Sequence, residues 1–504
     1  FFTDSIISYF TSGNPVTFVW PAGSNGIAIE VIYTDSSGCI SDSTFALEPC
    51  CTPIEPFPVG TEVFETGYCN DTILISQFFN SNIIQNSYIV LESDLIVDDD
   101  FEFKNCNIRI APGKKIIVED SVVLKIRETK IKALCEEMWD GIYLNDPTSS
   151  IVIGGLNPSL PADDSEIWDA ENGVVCNNGA SFLINDAKFV NNYISLQVLN
   201  YNGIYPGNIT FTILQTTNAN LYAPHLGERM KYGVRISNVK GITIGVNYNN
   251  VNEFSNMDYG IYATESSVNV YGNRFQGIGR PFNVSPCPTC IDPIGTAVFM
   301  RSKFAPVTLT LGDGTNTNRN EFNQCYIGAK VYDNVNMKAQ GNTLKNIEEA
   351  GLYTHFNSAK SHLIRNNKIN FTKIGFHGLD VGSCNFTISK NSFFNTNTNC
   401  GGNCIDNTAI LIENTFSSTI TANIFRNYIE RKRVGIWLRN VNSPSIWPNN
   451  TIRIFNDTIN FGALNNNVVP YYYGVRIDNC RNILVNENYI YKMGASPSVS
   501  VFQS

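Results

Sequence analysis

The ionisable residues that could do chemistry together are Glu413 and the run Glu430, Arg431, Lys432 and Arg433 within NYIERKRVGIWL. Carboxylates are ligands that Ca²⁺ prefers, and an Arg or Lys beside them could act as a general base that removes a proton from a substrate. This chemistry requires that all five residues lie on one external face. The alternative, which the sequence favours, is a solvated turn between repeated units, in which case no catalytic residue is predicted.

The remaining polar motifs are incomplete. His377 lies in FHGLD, and Asp163 and Asp164 are adjacent in a Pro-rich insertion, but neither motif carries the surrounding residues that catalysis needs. The Gly-rich phrase LGDGTNTN at 311–318 contains one acidic residue, too few for a calcium site, and is predicted to be a turn. No nucleophile elbow, phosphate-binding loop or dinucleotide-binding glycine motif is present. The sequence therefore predicts no cofactor, and Ca²⁺ is left open without a supporting motif.

Aromatic side chains offer a second route to a ligand, because Phe, Trp and Tyr make up 12% of the chain. Tyr143, Tyr262, Tyr353 and Trp437 each occupy the third position of a recurring Gly, apolar, any, apolar phrase. If the phrase marks equivalent strands, these rings share one column on an outer face, where they could bind sugar rings or another protein. The alternative is that stacked rings stabilise a sheet.

Two phrases recur along the chain and define the elements that would position these residues. The first is the Gly phrase above, and the second is Asn, any, Phe/Ile/Leu, with Asn at 252, 273, 320, 342, 367, 391, 423, 450 and 488. The successive Asn spacings are 21, 47, 22, 25, 24, 32, 27 and 38 residues. The shortest spacings indicate the repeat length, and the spacing of 47 is interpreted as two repeats.

A repeat of this length predicts a coil of three short strands, each pairing in parallel with the next coil at about 4.8 Å per level. Side chains alternate along a strand, so Val234 and Ile236 are expected inside and Arg235 outside. The recurring Asn residues are expected to form a ladder of side-chain amides. A leucine-rich repeat is excluded because its Leu-x-x-Leu-x-Leu frame is absent, and the longer period of a β-propeller is not seen.

The four histidines are not arranged as a ladder of metal ligands. Aligning the coils at Gly351 and Gly375 places His377 over Tyr353 and puts His362 in a different column.

The two phrases resemble those of the right-handed parallel β-helix of the pectate-lyase-like superfamily, over residues 88–504. The resemblance implies an all-β, three-sheet solenoid. For enzymes of this class it also implies lyase or hydrolase action on acidic polysaccharide. Residues 1–49 resemble the last strands of an immunoglobulin-like or PKD-like module, and 50–87 are expected to form a linker and the first coils.

A narrower resemblance concerns residues 115–144. With Cys135, Trp139, Gly141 and Ile142, this stretch is similar to the opening coils of adhesin-like surface proteins exported by the type 9 secretion pathway. The resemblance implies that the type 9 machinery is a partner and that the chain is part of a longer exported protein.

The composition and the cysteines favour some partners and compartments over others. A formal net charge of −10 without a basic stripe argues against nucleic acid, and no apolar window is long enough to span a bilayer. Cys287 with Cys290, and Cys400 with Cys404, are close pairs in Pro/Gly/Asn-rich segments. They are predicted to form local disulfides, which implies an extracellular or cell-surface, outer-membrane-associated location. The alternative is that the paired thiolates ligate Zn²⁺.

The sequence therefore predicts a secreted or cell-surface adhesin-like rod that presents loops near 205–231, 280–295 and 396–408 to a polysaccharide or a surface protein. Catalysis is not expected. One alternative is a polysaccharide lyase or glycoside hydrolase acting on acidic polysaccharide. A further alternative is a filament subunit, because open coil ends are unpaired sheet edges.

Overall fold

The structure is a computed structural model of the 504-residue chain. It describes residues 27–34, 40–47, 53–54, 63–65, 72–154, 164–203, 206–217, 221–246, 251–279, 287, 289–395, 407–445, 451–461, 473–491 and 502–503. Among these residues there is one helix, Ile75–Phe78, and no helix long and apolar enough to cross a membrane. Ile27–Thr34 and Ile40–Leu47 form an antiparallel pair in the segment predicted to be immunoglobulin-like, and that assignment stays a prediction.

The other strands stack in parallel as three faces of one solenoid, because each coil contributes one strand to each face. The fold is the right-handed parallel β-helix predicted from the repeat. Face 1 carries the Gly phrases and contains the strands Thr72–Leu74, Asp94–Val97, Lys115–Val118, Trp139–Leu144, Ala170–Cys176, Ile194–Tyr201, Met230–Val239, Met257–Thr264, Val434–Asn442, Tyr473–Asp478 and Phe502–Gln503.

Face 2 follows face 1 along each coil, and face 3 follows face 2. Face 2 contains Ile83–Gln85, Phe101–Lys104, Val123–Arg127, Ser150–Ile153, Ser181–Asn185, Gly207–Thr210, Ile242–Ile244, Val268–Val270, Ser361–Arg365, Asn385–Ser389, Thr421–Phe425, Ile452–Phe455 and Ile483–Asn486. Face 3 contains Val63–Glu65, Tyr88–Leu91, Asn107–Ile110, Lys130–Ala133, Ser165–Trp168, Ala187–Val190, Ile213–Gln215, Asn252–Ser255, Asn273–Gln276, Glu321–Asn323, Ser392–Phe394, Tyr428–Glu430, Thr458–Asn460 and Tyr489–Tyr491.

Five longer strands bend around a corner instead of ending there. Thr296–Leu311 and Ile327–Gln340 run from face 1 to face 2, Thr343–His355 and Lys368–Leu379 run from face 3 to face 1, and Thr408–Thr419 runs from face 1 into the corner before face 2. We call the edge between faces 1 and 2 the face 1–2 corner.

The interior of the solenoid is apolar and follows the predicted alternation. Val234 and Ile236 are fully buried, Ile477 is buried, and Arg235 is exposed. Identical side chains stack from coil to coil, as in the rings of Phe254, Phe275 and Phe322, whose successive centroids are 4.8 and 4.9 Å apart. Burial of such columns is the main contribution to the stability of the fold.

The predicted Asn ladder lies at the start of the face 3 strands. Each amide nitrogen donates to a backbone carbonyl of a neighbouring coil and to the side-chain oxygen of the next member, for example Asn342 Nδ2 to Leu311 O (2.9 Å) and to Asn367 Oδ1 (3.0 Å). The buried members from 252 to 457 are Asn252, Asn273, Asn320, Asn342, Asn367, Asn391, Asn427 and Asp457, and half-buried Asn488 follows them.

Three details of the predicted repeat are corrected. Asn273 donates directly to Asn320, at 3.2 Å, so the spacing of 47 residues is one coil with an insertion and not two repeats. Asn423 lies on face 2, and Asn427 takes the place predicted for it. Asn450 lies outside the described residues, and Asp457 continues the ladder.

The Gly phrase recurs because a side chain would collide with the next coil. A Cβ atom added to Gly328 would lie 2.4 Å from the Gly351 carbonyl oxygen and 2.7 Å from Leu344 Cδ2. We expect Gly328→Ala to lower the free energy of unfolding by about 2 kcal/mol, as overpacking does in other cores. Gly241→Ala is the matched control, since its Cβ would contact nothing within 4 Å. Equal urea midpoints for the two variants would contradict this explanation of the phrase.

Candidate functional site

The structure separates the predicted catalytic residues into two groups. Glu413 lies at the end of its face 1 strand segment, in register with Arg439, whereas Thr408 at the start pairs with Val434. The run 430–433 directly precedes Val434, so it lies at the opposite end of face 1, roughly 16 Å from Glu413. The prediction that all five residues share one outer site is therefore corrected.

The run at 430–433 is engaged in local contacts. Glu430 Oε1 lies 3.5 Å from Arg431 Nε, and Glu430 Oε2 accepts a hydrogen bond from the Tyr428 hydroxyl at 3.1 Å. Lys432 is fully buried, and this burial lowers its pKa to about 7. Arg433 is half-buried. The run is therefore neither an open catalytic surface nor the wholly solvated turn expected as the alternative.

Glu413 has two partners that the sequence reasoning did not assign to it. Its Oε1 lies 3.1 Å from His377 Nε2, and its Oε2 lies 3.5 Å from Arg439 Nη1. Burial tends to raise the pKa of Glu413, but the hydrogen bond and charge of His377 and the charge of Arg439 outweigh it, so the pKa is lowered. The sequence contained a usable signal, because aligning 375–379 with 409–413 puts Glu413 two positions beyond His377 on the same outer face.

The four predicted binding rings do lie in one column of face 1. The strand register connects the position of Tyr143 through successive coils to Tyr262, Tyr353 and Trp437. His377 follows Tyr353 in the same column and stacks on it with ring centroids 4.6 Å apart, as the aligned coils predicted. The column therefore mixes aromatic and ionisable side chains.

The rings of this column are less open than predicted. Tyr353 is fully buried, and Tyr143, Tyr262 and Trp437 are half-buried. The Tyr143 hydroxyl donates to Asp140 Oδ1 at 2.6 Å, and Trp437 Nε1 donates to Asp478 Oδ2 at 2.9 Å. The prediction of an exposed ladder of four rings is thus corrected: the rings share one column, but the middle of that column is closed.

The segment 289–295 covers the column in its middle. The Tyr259 hydroxyl donates to the Asp292 carbonyl at 2.7 Å, and Lys330 Nζ donates to the Cys290 carbonyl. Lys330 is fully buried with its Nζ 4.7 Å from the centre of the Tyr353 ring, and burial lowers its pKa to about 7 although the charge of Asp292 opposes the shift. Sequence periodicity could not predict this cover, because the segment is an insertion between coils.

The cysteines divide into bonded and free groups. Cys287 and Cys290 form a disulfide next to the covering segment. Cys400 and Cys404 lie outside the described residues. Cys135 is also disulfide-bonded, which the sequence did not predict. Among the cysteines that the structure describes, the free thiols are Cys106, Cys176, Cys325, Cys384 and Cys480. No group of three or more His, Cys, Asp or Glu residues in the described ranges could hold a metal ion.

A groove of about 290 Å³ opens at the face 1–2 corner, and we call it the corner groove. Its lining residues are Arg301, Lys303, Asp333, Asn334, Phe356 and Ser358. This volume is at the lower end of the range for ligand pockets. Sequence reasoning missed the groove because the chain leaves the repeat here, with a bulge between Ser302 and Val307.

Hydrogen bonds and an ion pair fix the polar floor of the groove. Arg301 Nε lies 2.9 Å from Asp333 Oδ2, and Asn334 Nδ2 donates to the Lys303 carbonyl at 2.9 Å. Glu265 accepts hydrogen bonds from the backbone N–H of Lys303 and from the Ser302 hydroxyl, both at 2.7 Å. These contacts hold polar groups beside the exposed ring of Phe356, which is an arrangement that can bind an amphipathic ligand.

The fold and these surfaces define a parallel β-helix protein with a small polar and aromatic groove on an outer corner. No protein-family model matches the chain, and no curated protein matches it. Among solved structures, the chain is similar to the A-module of a mannuronan C-5 epimerase from Azotobacter vinelandii, with 11% identity, 82% of this chain and 91% of that chain covered, and a TM-score of 0.19. Similarity at this level implies nothing about substrate or activity.

Proposed function

We propose that this chain is the rigid β-helical part of a secreted or cell-surface, adhesin-like protein that binds a ligand on its outer surface without transforming it. The observation that supports this most directly is the continuous stack of coils, with an apolar interior and a side-chain ladder from 252 to 457. Such a stack stiffens the described coils along the solenoid axis. A stiff rod suits a protein that holds binding surfaces away from a cell.

Two features support the extracellular part of the proposal. The Cys287–Cys290 disulfide and the bonded Cys135 fit an oxidising compartment. The similarity of residues 115–144 to proteins of the type 9 pathway supports export by that route. Trp139, one of the residues that carry this similarity, is fully buried.

The chemistry of the outer face supports binding over catalysis. A general base works best when its pKa is close to the working pH. The pKa of Glu413 is lowered, and the carboxylate is held between His377 and Arg439. In the corner groove, Asp333 is paired with Arg301. The lowered pKa makes Glu413 a weak base at neutral pH, and Asp333 is engaged in an ion pair.

The second candidate is a lyase or hydrolase acting on acidic polysaccharide. The contact between His377 and Glu413, beside the buried Tyr353, is the observation that favours it, since histidine, carboxylate and tyrosine side chains can transfer protons to and from a sugar.

The two candidates differ in turnover. We expect no unsaturated or shortened product when the protein is incubated with pectate, alginate or chondroitin sulfate, with and without Ca²⁺, as followed by ultraviolet absorbance and by product size. Product formation that is lost in Glu413→Gln, while that variant keeps the wild-type unfolding midpoint, would overturn the non-catalytic proposal in favour of the enzyme.

A further inference from the structure

We propose that the row of exposed rings at the face 1–2 corner, Phe304, Phe356 and Phe416, is the interface at which two copies of this chain pair in antiparallel orientation. In this pairing a two-fold axis crosses the rods at the level of Phe356 and places Phe304 of each copy against Phe416 of the other. This inference rests on the proposed function, because it names a second copy as the partner of the adhesin-like rod.

The three rings form an exposed apolar surface at one corner of the rod. The exposed fractions of Phe304, Phe356 and Phe416 are 85%, 52% and 81%. The ring of Phe356 is held by its neighbours, since its centroid lies 4.4 Å from that of His355 and 5.6 Å from that of Tyr332. Exposed apolar side chains that lie together mark interaction surfaces, and rigid aromatic rings are common anchors of protein interfaces.

The row is symmetric about its middle ring. The strand register of face 1 connects Arg301, one residue per coil, to Glu413 four coils further along the rod. Phe304 is the third residue after Arg301. Phe416 is likewise the third residue after Glu413, and Phe356 lies on the coil midway between them. Each outer ring is therefore about 10 Å from Phe356 along the axis, and a two-fold axis at right angles to the rod exchanges the two positions.

The charge at this corner permits two copies to approach. The chain carries a formal net charge of −10, so two copies repel each other on average. The charged side chains of the corner are four of each sign, namely Glu265, Asp333, Asp380 and Glu413 with Arg301, Lys303, Lys360 and Arg439. The corner is therefore neutral and suits a partner that presents both signs, as a second copy does.

The order of these charges along the rod is self-complementary in the antiparallel pairing. Lys303 lies two coils before Phe356, and Glu413 lies two coils beyond it. Glu265 lies three coils before Phe356, and Arg439 lies three coils beyond it. The two-fold axis therefore brings Lys303 of one copy opposite Glu413 of the other. It also brings Arg439 opposite Glu265, and each of these oppositely charged pairs occurs twice in the dimer.

The acidic side chains nearest the axis are Asp333 and Asp380, one coil on either side of it, and they face each other in the pairing. Both already have partners. Asp333 Oδ2 lies 2.9 Å from Arg301 Nε, and Asp380 Oδ1 accepts a hydrogen bond from the backbone N–H of Thr415 at 2.6 Å. Lys360 lies on the coil between them and adds a positive charge at the axis, which reduces their repulsion.

The same charges disfavour a parallel pairing. A two-fold axis along the rod brings every coil opposite its own copy, so Lys303 meets Lys303 and Glu413 meets Glu413. Like charges opposite each other are unfavourable. Antiparallel pairing is also the arrangement expected when rods from two opposing surfaces overlap, which gives the interface a role in contact between cells.

The interface is small, so the dimer should be weak. The paired charges extend over six coil spacings, about 29 Å along the axis. A strip of this length along one corner buries roughly 1,000 Å² in total, which is at the low end for specific interfaces. We therefore expect a dissociation constant on the order of 10 μM, and many rods side by side multiply such a contact.

Sedimentation equilibrium of the whole protein at about 1–100 μM tests the pairing, and the wild type should dimerise reversibly. Phe304→Ala/Phe416→Ala should weaken dimerisation by about 100-fold, because an aromatic pair is lost twice. Lys303→Glu should weaken it by about 10-fold, because two attractive pairs become repulsive. Lys345→Glu is the matched control, since Lys345 is exposed on face 3 and the charge change is the same. This control should dimerise as the wild type does, and all variants should keep the wild-type urea midpoint.

A zero-length carbodiimide cross-link reports the orientation of the two copies. Lys303 and Glu413 lie four coils apart in one rod, about 19 Å along the axis, which a direct amide bond between the two side chains cannot span. A Lys303–Glu413 amide found by mass spectrometry therefore joins two copies. We expect this cross-link in the wild-type dimer and its loss in the double phenylalanine variant.

Each other result of these measurements overturns the inference. A wild type that stays monomeric at about 100 μM would remove the interface and leave the proposed function standing. Unchanged dimerisation in the double variant would assign the dimer to another surface, and a dimer without the Lys303–Glu413 cross-link is not antiparallel. Monomeric protein that binds phosphatidylglycerol vesicles, and loses this binding in the double variant, would assign the row to a membrane surface. Turnover of a polysaccharide would instead contradict the proposed function and leave the pairing intact.

Discussion

Replacing Asn342 by alanine should lower the free energy of unfolding by about 4 kcal/mol, because the substitution removes several buried hydrogen bonds at once. Asn342 Nδ2 donates to Leu311 O at 2.9 Å and to Asn367 Oδ1 at 3.0 Å, and Asn342 Oδ1 accepts from Asn320 Nδ2 at 2.9 Å. Alanine leaves the carbonyl of Leu311 without this donor and leaves a cavity inside a fully buried ladder. Urea unfolding followed by circular dichroism measures the loss.

A matched substitution distinguishes the effect of breaking the ladder from the effect of removing an Asn side chain elsewhere. Asn269 lies on an outward position of face 2, and its amide makes only a 3.5 Å contact with Thr243 Oγ1. Asn269→Ala should change the free energy of unfolding by less than about 0.5 kcal/mol. Hydrogen exchange should also show faster opening of the coils on both sides of residue 342 and little change near 269, because neighbouring coils stabilise each other. Similar losses in the two variants would refute the special role of the ladder.

The inside of the rod could be predicted from the sequence because every coil meets the same neighbours. A side chain such as Ile236 or Asn367 meets side chains of the same kind, apolar or amide, in the coil above and the coil below, so the repeat itself encodes its burial and its partner. The same logic gave the stacking of His377 on Tyr353 from two aligned glycines. The local sequence therefore predicts those side-chain positions that are equivalent from coil to coil.

The outer surface could not be predicted in the same way, because its contacts break that equivalence. Tyr353 is buried because the 289–295 insertion closes the column. The sequence period does not indicate where an insertion folds back onto the coils. Glu413 and the run 430–433 lie at opposite ends of face 1, because the chain between them passes over faces 2 and 3 before it returns to the start of face 1. Phe304 and Phe416 lie in bulges, where extra residues interrupt the phrases. The candidate binding surface therefore lies where extra residues interrupt the repeat.

Asp457 is the one carboxyl group in the Asn ladder. Its Oδ1 accepts hydrogen bonds from the backbone N–H of Asn427 at 2.8 Å and from Asn427 Nδ2 at 2.9 Å, but its Oδ2 is buried without a hydrogen-bond partner in the described part of the chain. Every Asn in the ladder donates from the equivalent atom, which a carboxylate cannot do. Burial raises the pKa of Asp457 to about 7, although the hydrogen bonds from Asn427 oppose the shift. The protonated acid is the form that fits the ladder.

Asp457→Asn should therefore stabilise the rod at high pH and leave it unchanged at low pH. Because the folded pKa is raised from 3.8 to about 7, the stability associated with Asp457 is fully present below about pH 4 and is lost as the pH rises through about 7. A shift of this size corresponds to roughly 4 kcal/mol, so the variant should gain about that much at pH 8 and almost nothing at pH 4. Urea unfolding of both proteins across this range measures the difference. Asp169, Lys330 and Lys432 also titrate near pH 7, but they are common to both proteins and largely cancel in the difference. A gain that stays constant with pH would mean that Asp457 is not protonated in the folded rod.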